Sequence, residues 1–351
     1  MFKYKQIKNM DFLKDDFENF DFGDFDSLIN DDEHNQTEPY PKPTDLRIST
    51  MTATCKSNVE IDLEYITNIV KPVEYFTEKC GIIKIIYGKE ILGMCKKDLD
   101  GKKNNKKKVF FNQATIVFRI RFNKIIREIN IKLFSNGGVQ MTGLKSKEEG
   151  IKAINNLFQI LKDCKGEIEE KDKDDRIIKK NIKLISDFSK FKIDYFNIVL
   201  INSDFAANFE IKRDVLHKML QNQYHIFSTY EPCIYPGVNS KYYWNQSYKN
   251  YPFKGKCYCD NYCEGKGKGN GESDCKKVTI SIFQSGNVII TGARSLQQIT
   301  DAYNYINNVF KKEYNKIKKI KPSFLEKEGK KKKTKKITYL KKSRIKFLEN
   351  D

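Results

Sequence analysis

Two stretches of this chain spell the same hairpin. Leu133-Phe134-Ser135-Asn136-Gly137-Gly138-Val139-Gln140-Met141-Thr142-Gly143-Leu144 and Ile282-Phe283-Gln284-Ser285-Gly286-Asn287-Val288-Ile289-Ile290-Thr291-Gly292-Ala293 carry Phe, Gly, Val, Thr and Gly in one register, 149 residues apart. Alternating Ile, Val and Thr make two short strands of the second copy, and Ser285-Gly286-Asn287 makes its turn. The register survives beyond the hairpin, where Ser146 matches Ser295, Ala153 matches Ala302 and Asn155 matches Asn304. Chance would not hold register across a strand pair and the helix after it. The chain therefore reads as one long internal duplication.

Around that duplication the chain divides into five stretches. Residues 1–44 form an acidic tail with scattered Phe, whose charge repulsion opposes a packed core and predicts disorder. Residues 45–163 form the first repeat, with a strand over Leu46–Cys55, a helix over Glu60–Val70 and strand material over Val73–Leu92. A basic insertion, Lys96–Lys108, reads as a solvated loop that adds phosphate contacts if nucleic acid lies beside it. Strands over Asn112–Arg121, Ile125–Phe134 and Val139–Thr142 follow, then a helix over Lys147–Leu161 with Ile151, Ile154, Phe158 and Leu161 on one stripe. Residues 164–190 are charge-mixed and read as a connector. Residues 191–311 form the second repeat, interrupted by a cysteine-bearing insertion over 245–276. Its closing helix, Leu296–Phe310, carries Leu296, Ile299, Tyr303, Ile306 and Phe310 on one stripe. Residues 312–351 form a basic tail, of the kind that serves nuclear import or tethers nucleic acid.

A net charge of +19 favours a polyanionic partner, with nucleic acid first. No run of about 18 apolar residues is present, so no membrane span is expected. The N-terminus lacks the apolar core of a signal peptide, which predicts an intracellular protein, in a nucleus or in the cytoplasm. Nine cysteines then read as thiols or metal ligands rather than disulfides. No P-loop, G-x-S-x-G elbow or H-E-x-x-H motif occurs, and the three histidines form no catalytic constellation, so the chain is not expected to be an enzyme.

The motif Phe-x-x-Gly-x-x-x-x-Thr-Gly in each copy, within strand–helix–four strands–helix written twice, resembles the TATA-box-binding protein core. Asn197-Ile198-Val199, Phe209-Glu210-Ile211, Ser228-Thr229-Tyr230-Glu231-Pro232, Tyr235-Pro236-Gly237 and Phe283–Ala293 keep the family's order in the second half. Thr50–Cys55, Asp62-Leu63, Phe118-Arg119-Ile120 and Phe134–Lys145 keep it in the first. The insertions and basic composition look like members encoded by large DNA viruses. The resemblance implies an α+β fold: two pseudo-symmetric repeats forming a saddle-shaped, ten-stranded antiparallel sheet with helices on the convex face. It implies a transcription initiation factor that binds AT-rich promoter DNA in the minor groove, bends it, and recruits a TFIIB-like factor and RNA polymerase. A non-catalytic saddle that binds protein, or DNA without TATA selection, is the alternative.

Carried over by residue, Phe134 and Phe283 stand at the wedge positions, their other reading being ordinary core residues at strand ends. The partner wedge is Tyr235 in the second half. In the first half that place falls on Gln113, unless the register shifts to recruit Phe111. Thr142, Thr291 and Asn197 match base-contacting positions, with Leu46 as the sister of Asn197. Ile48, Val199 and Ile289 match the apolar floor, while Gln140 and Lys132 replace apolar residues there. Lys145 and Arg294 match phosphate contacts. Glu231 and Pro232 match the docking segment for a TFIIB-type factor, with one carboxylate of the family's Glu-Pro-Glu replaced by Cys233.

The family pattern does not account for Cys257, Cys259, Cys263 and Cys275. Their spacing, C-x-C-x3-C-x11-C, would let four thiolates hold a tetrahedral structural Zn²⁺. A flexible loop of free thiols is the other reading. No further cofactor is required by the residues present.

Overall fold

The computed structural model describes residues 39–99, 110–171, 177–185, 187–189 and 191–320. The acidic tail up to residue 38, most of the basic loop after Leu99 and the basic tail beyond residue 320 lie outside the described residues.

The first repeat runs β1 (Arg47–Ser57), α1 (Ile66–Ile69), β2 (Gly81–Tyr87), β3 (Glu90–Gly93), α2 (Lys96–Leu99), β4 (Gln113–Phe122), β5 (Ile125–Phe134), β6 (Gly138–Leu144) and α3 (Lys147–Asp163). A hairpin of β7 (Lys165–Lys171) and β8 (Ile177–Lys183) connects it to the second repeat. That repeat runs β9 (Ile193–Ala206), α4 (Arg213–Asn222), β10 (Phe227–Thr229), β11 (Val238–Trp244), β12 (Lys276–Ile282), β13 (Asn287–Ala293) and α5 (Leu296–Ile317). Eleven strands share one sheet in the order β10-β11-β12-β13-β9-β1-β6-β5-β4-β2-β3, every pair antiparallel. The order is symmetric about the β9–β1 seam, with β3 as one strand more than the ten expected.

Strand alternation sends one set of side chains to the core. Ile129, Ile131 and Leu133 of β5 and Val278, Ile280 and Ile282 of β12 are fully buried, beneath Ile154, Leu157 and Phe158 of α3 and Ile299, Ile306 and Phe310 of α5. Ile151 and Leu296, expected to open the two helical stripes, are instead exposed at the first turns.

The two long helices start alike. Ser146 Oγ accepts from the Glu149 N–H, and Ser295 Oγ accepts from the Gln298 N–H. Glu149 and Gln298 reach back in turn, accepting from the N–H of Lys145 and of Arg294. Each device satisfies donors that a helix start would leave unpaired.

Three sequence expectations change. The helix expected over Glu60–Val70 contracts to the single turn α1, because Ile61 and Asp62 donate their N–H groups to Ser135 and Leu184 and so run extended. The connector is folded: Leu184 and Ile185, just past β8, are buried, and Gly166 of β7 lies against Ile69 of α1. It supplies apolar cover that the ten-residue α4 supplies in the second repeat. The closing helix runs past Phe310 to Ile317, with Tyr314 and Ile317 buried, so the start of the expected basic tail belongs to the fold. Tyr40 packs edge-on against Phe209 and Tyr314, and Thr44 pairs with Ala206, so the Pro-containing lead-in is fixed as well.

The caps generate a prediction. Ser146→Ala and Ser295→Ala should each cost about 1 kcal/mol, and the double variant about the sum, because the caps share no partner. Urea unfolding midpoints with unchanged slopes measure this; an unshifted midpoint in both single variants would contradict the capping account.

Candidate nucleic-acid interface

The face opposite the helices is built from the alternate residues of the same strands. Register strings Thr115, Lys132, Gln140, Thr54 and Asn197 into one row across β4, β5, β6, β1 and β9. Beside it run Asn130, Thr142 and Thr52. In the second repeat Lys241, Thr279 and Thr291 form one row, and Asn239, Ser281 and Ile289 another. Val199 and Ile289 are each 36% exposed, so branched apolar side chains stand in solvent between hydroxyls and amides.

Each Thr-Gly motif is a bulge. Opposite β1, β6 shifts register between Thr142 and Leu144; opposite β9, β13 shifts between Ile290 and Ala293. Gly143 and Gly292 sit there with φ of 97° and 93°, a region that a Cβ disfavours. The motif thus fixes where Thr142 and Thr291 lie on the open face.

Phe134 and Phe283 fall on the open side at the ends of their strands. Their neighbours Leu133 and Ile282 are fully buried, whereas both Phe rings are partly exposed and outside the buried core. Phe283 has a partner: the Tyr235 ring centroid is 5.7 Å away. Gly237 makes this contact feasible, since a Cβ there would come 2.8 Å from the Tyr235 ring and 3.1 Å from the Phe283 ring. Strand register gives the corresponding first-half positions. Gln113 pairs with Phe134, which puts it where Gly237 stands. Phe111 therefore corresponds to Tyr235. It is 67% exposed, but its ring turns toward Tyr87 and over Gly88. One corner carries a paired aromatic; the other carries Phe134 with Gln113 in the place of the permissive glycine.

Bulges also revise two expected contacts. The β1–β9 ladder shifts register three times: Ser49 is one extra residue, since Ile48 and Thr50 pair with the adjacent Ser203 and Asn202, and Val199 is another, since Thr52 and Ala53 pair with Leu200 and Ile198. Ile48 consequently packs against the core and does not lie on the open floor. The same alignment makes Arg47, not Leu46, the sister of Asn197. Lys145 Nζ donates to the carbonyls of Ile48 and Ser49, so it ties down the β1 bulge rather than projecting freely toward phosphate.

Arg47 is the residue that sequence reasoning missed. It forms an ion pair of 2.6 Å with Asp204, which also accepts from the Ser49 hydroxyl. Burial would raise the Asp204 pKa, but the bonds from Ser49 and Arg47 and the charges of Arg47 and Lys145 outweigh it and hold the carboxyl below its ordinary value. Partners 157 residues apart leave no local sequence signal.

Arg294 is exposed and belongs to a cluster of cations. Burial, then Arg294 and Lys277, push the Lys276 ammonium below its ordinary range, and burial with Lys277 does the same to Lys241. Such a cluster is relieved by an anion. At the edge of the second repeat, Glu231, Pro232, Cys233 and Ile234 form an exposed turn in which the Ile234 and Tyr235 N–H groups both donate to the Glu231 carbonyl. The four cysteines of the insertion come together in one cluster.

This architecture is the α+β saddle of two pseudo-symmetric TATA-box-binding-protein-like repeats. The family model for transcription factor TFIID (or TATA-binding protein, TBP) matches residues 269–313. A "TATA-box-binding protein-like" protein of Acanthamoeba polyphaga mimivirus is 31% identical over 283 residues, covering 78% of this chain and 67% of its own. The solved structure of Methanococcus jannaschii TBP aligns with 77% of this chain and 99% of its own at 18% identity, with a TM-score of 0.40. The chain belongs to the TATA-box-binding-protein family, as a divergent member.

The Arg47–Asp204 pair predicts a pH dependence. A carboxyl depressed in the folded state contributes stability above its unfolded pKa and loses it as pH falls through the folded value. Asp204→Asn should therefore lower stability at pH 7 and flatten the loss seen below about pH 4. Parallel urea titrations at both pH values measure it; equal acid sensitivity in the two proteins would contradict the assignment.

Proposed function

We propose that this protein is a transcription initiation factor whose open sheet face seats in the minor groove of an AT-rich promoter and bends it. Family membership supports the general reading, a TATA-binding-like DNA-binding factor of transcription. One observation carries the finer reading: a single face of hydroxyls, amides and branched apolar side chains runs across both repeats and ends at an outward Phe on each side.

The chemistry suits that groove. A·T edges there offer only acceptors, which Asn197, Thr142 and Thr291 can meet with donors. A guanine amino group would press against Val199 and Ile289 without an acceptor. Phe283 with Tyr235, and Phe134 in the other repeat, are the wedges that unstack base steps, a mode for which this family is itself a reference case. Arg294, Lys276, Lys241 and Lys277 take phosphates. The exposed Glu231-Pro232 turn docks a TFIIB-like factor, which brings RNA polymerase.

The two half-sites are not alike. Lys132 and Gln140 occupy the first-repeat floor, and Arg47 with Asp204 occupy the seam. These residues favour relaxed sequence selection in the first half, and they are what supports the second reading, a saddle that binds DNA without TATA preference.

Binding and bending of an AT-rich and a G·C-rich duplex at one stated salt concentration separate the readings. The first predicts tighter binding to the AT-rich site by tenfold or more, at about 1–3 kcal/mol per mismatched pair. Phe283→Ala should reduce the bend more than the affinity. Arg294→Gln should weaken both duplexes alike and lower the salt slope by about one. Equal affinities with no bend would sink the first reading.

A further inference from the structure

We propose that Cys257, Cys259, Cys263 and Cys275 bind one Zn²⁺ as four thiolates, and that the ion closes the 245–276 insertion onto the end of the β11–β12 pair. The four Sγ atoms all lie within 4.8 Å of one another. Cys257 and Cys275 are 3.8 Å apart, and Cys259 and Cys275 3.4 Å. A tetrahedron with Zn–S bonds of about 2.3 Å has sulfur–sulfur edges of about 3.8 Å. Three ligands, Cys257, Cys259 and Cys263, come from one short stretch of the insertion. Cys275 directly precedes β12 and is fully buried, so it anchors the cluster to the sheet.

Amide N–H groups are aimed at the sulfurs. Ser273 N–H donates to Cys259 Sγ at 3.2 Å, and the Asn245 amide to Cys275 Sγ at 3.4 Å. Backbone N–H groups of Gly265 and Cys275 point at Cys263, and that of Cys259 at Cys257. Such N–H groups are the partners that metal-bound sulfur ligands take. Four thiolates around one dication leave two negative charges, in a segment that also holds Lys254, Lys256, Lys266 and Lys268.

The second half of the insertion is held by polar contacts rather than by a core. Glu264–Asp274 has no apolar side chain, yet its backbone is tightly placed: a Cβ on Gly269 would come 2.2 Å from the Trp244 ring, and one on Gly267 2.2 Å from the Asp274 carbonyl. Asp274 caps the N–H groups of Lys268, Gly269 and Asn270, and backbone bonds tie the segment to its frame: the Lys277 N–H donates to the Gly265 carbonyl, the Gly267 N–H to that of Cys275 and the Gln246 N–H to that of Gly269. A metal adds a cross-link between the Cys257–Cys263 stretch and Cys275, as in small domains with little core. The site lies at the Trp244–Lys276 end of the β11–β12 pair, seven residues along each strand from the end that bears Phe283.

The test is metal analysis of full-length protein purified without chelator, with Co²⁺ substitution as the spectroscopic probe. About one zinc per chain is expected, together with the sulfur-to-cobalt charge-transfer band and intense visible bands of a tetrahedral thiolate site. A Cys259→Ser, Cys263→Ser double variant, which spares the buried Cys275, should lose both signals. Chelator should expose the wild-type Lys254–Lys268 stretch to trypsin while the two repeats stay intact. Zinc below about a tenth per chain together with no cobalt spectrum, or full zinc retained by the double variant, would overturn the proposal. The cobalt spectrum is read on the wild-type chain, so a variant that fails to fold leaves the result decisive.

Discussion

Fourteen residues of β9 lie antiparallel to eleven of β1, and through this one ladder two repeats become a single sheet. Without it each repeat would present its longest strand as an open edge, a template for aberrant pairing. The ladder also sets what faces outward. Extra residues, among them Ser49 and Val199, shift the alternation along the seam, so the strands keep Met51 and Ile201 under the helices while Thr54 and Val199 stay open. Everything proposed for the open face depends on that register.

Duplication supplies a symmetric frame, and single residues break it. Gly237 lets Tyr235 meet Phe283, whereas the Gln113 side chain stands at the matching place beside Phe134. Asn197 pairs with Thr54 on one side of the seam; on the other, Arg47 pairs with Asp204. Those substitutions exchange neutral donors for an ion pair. On the proposed minor-groove reading they make the two half-sites chemically distinct, which gives the protein a means of telling one direction along the duplex from the other.

Much of this was legible in the sequence because it is local. The Thr-Gly motif carries its own reason, a bulge at positive φ that disfavours a Cβ, and the apolar stripes of Ile154, Phe158 and Leu161 and of Ile299, Ile306 and Phe310 mark the two long helices. What escaped is long-range. Ile48 looked like floor until a one-residue bulge at Ser49 turned it inward. Lys145 looked like a phosphate contact until its acceptors proved to be carbonyls 96 and 97 residues away. The Glu60–Val70 segment has helical spacing, but Ser135 and Leu184 claim its backbone donors. The connector read only as charge-mixed, yet Ile182, Leu184 and Ile185 are buried.

The central claim is that the open face meets DNA from the minor groove, and inosine isolates it. An I·C pair lacks the guanine amino group, so its minor groove matches that of A·T while its major groove keeps the pattern of G·C. Affinity and bend should be measured on three duplexes of one site, carrying A·T, G·C or I·C at the central pairs, at one salt concentration. The account predicts that I·C behaves like A·T. Behaviour of I·C indistinguishable from G·C, with A·T still preferred, would contradict it.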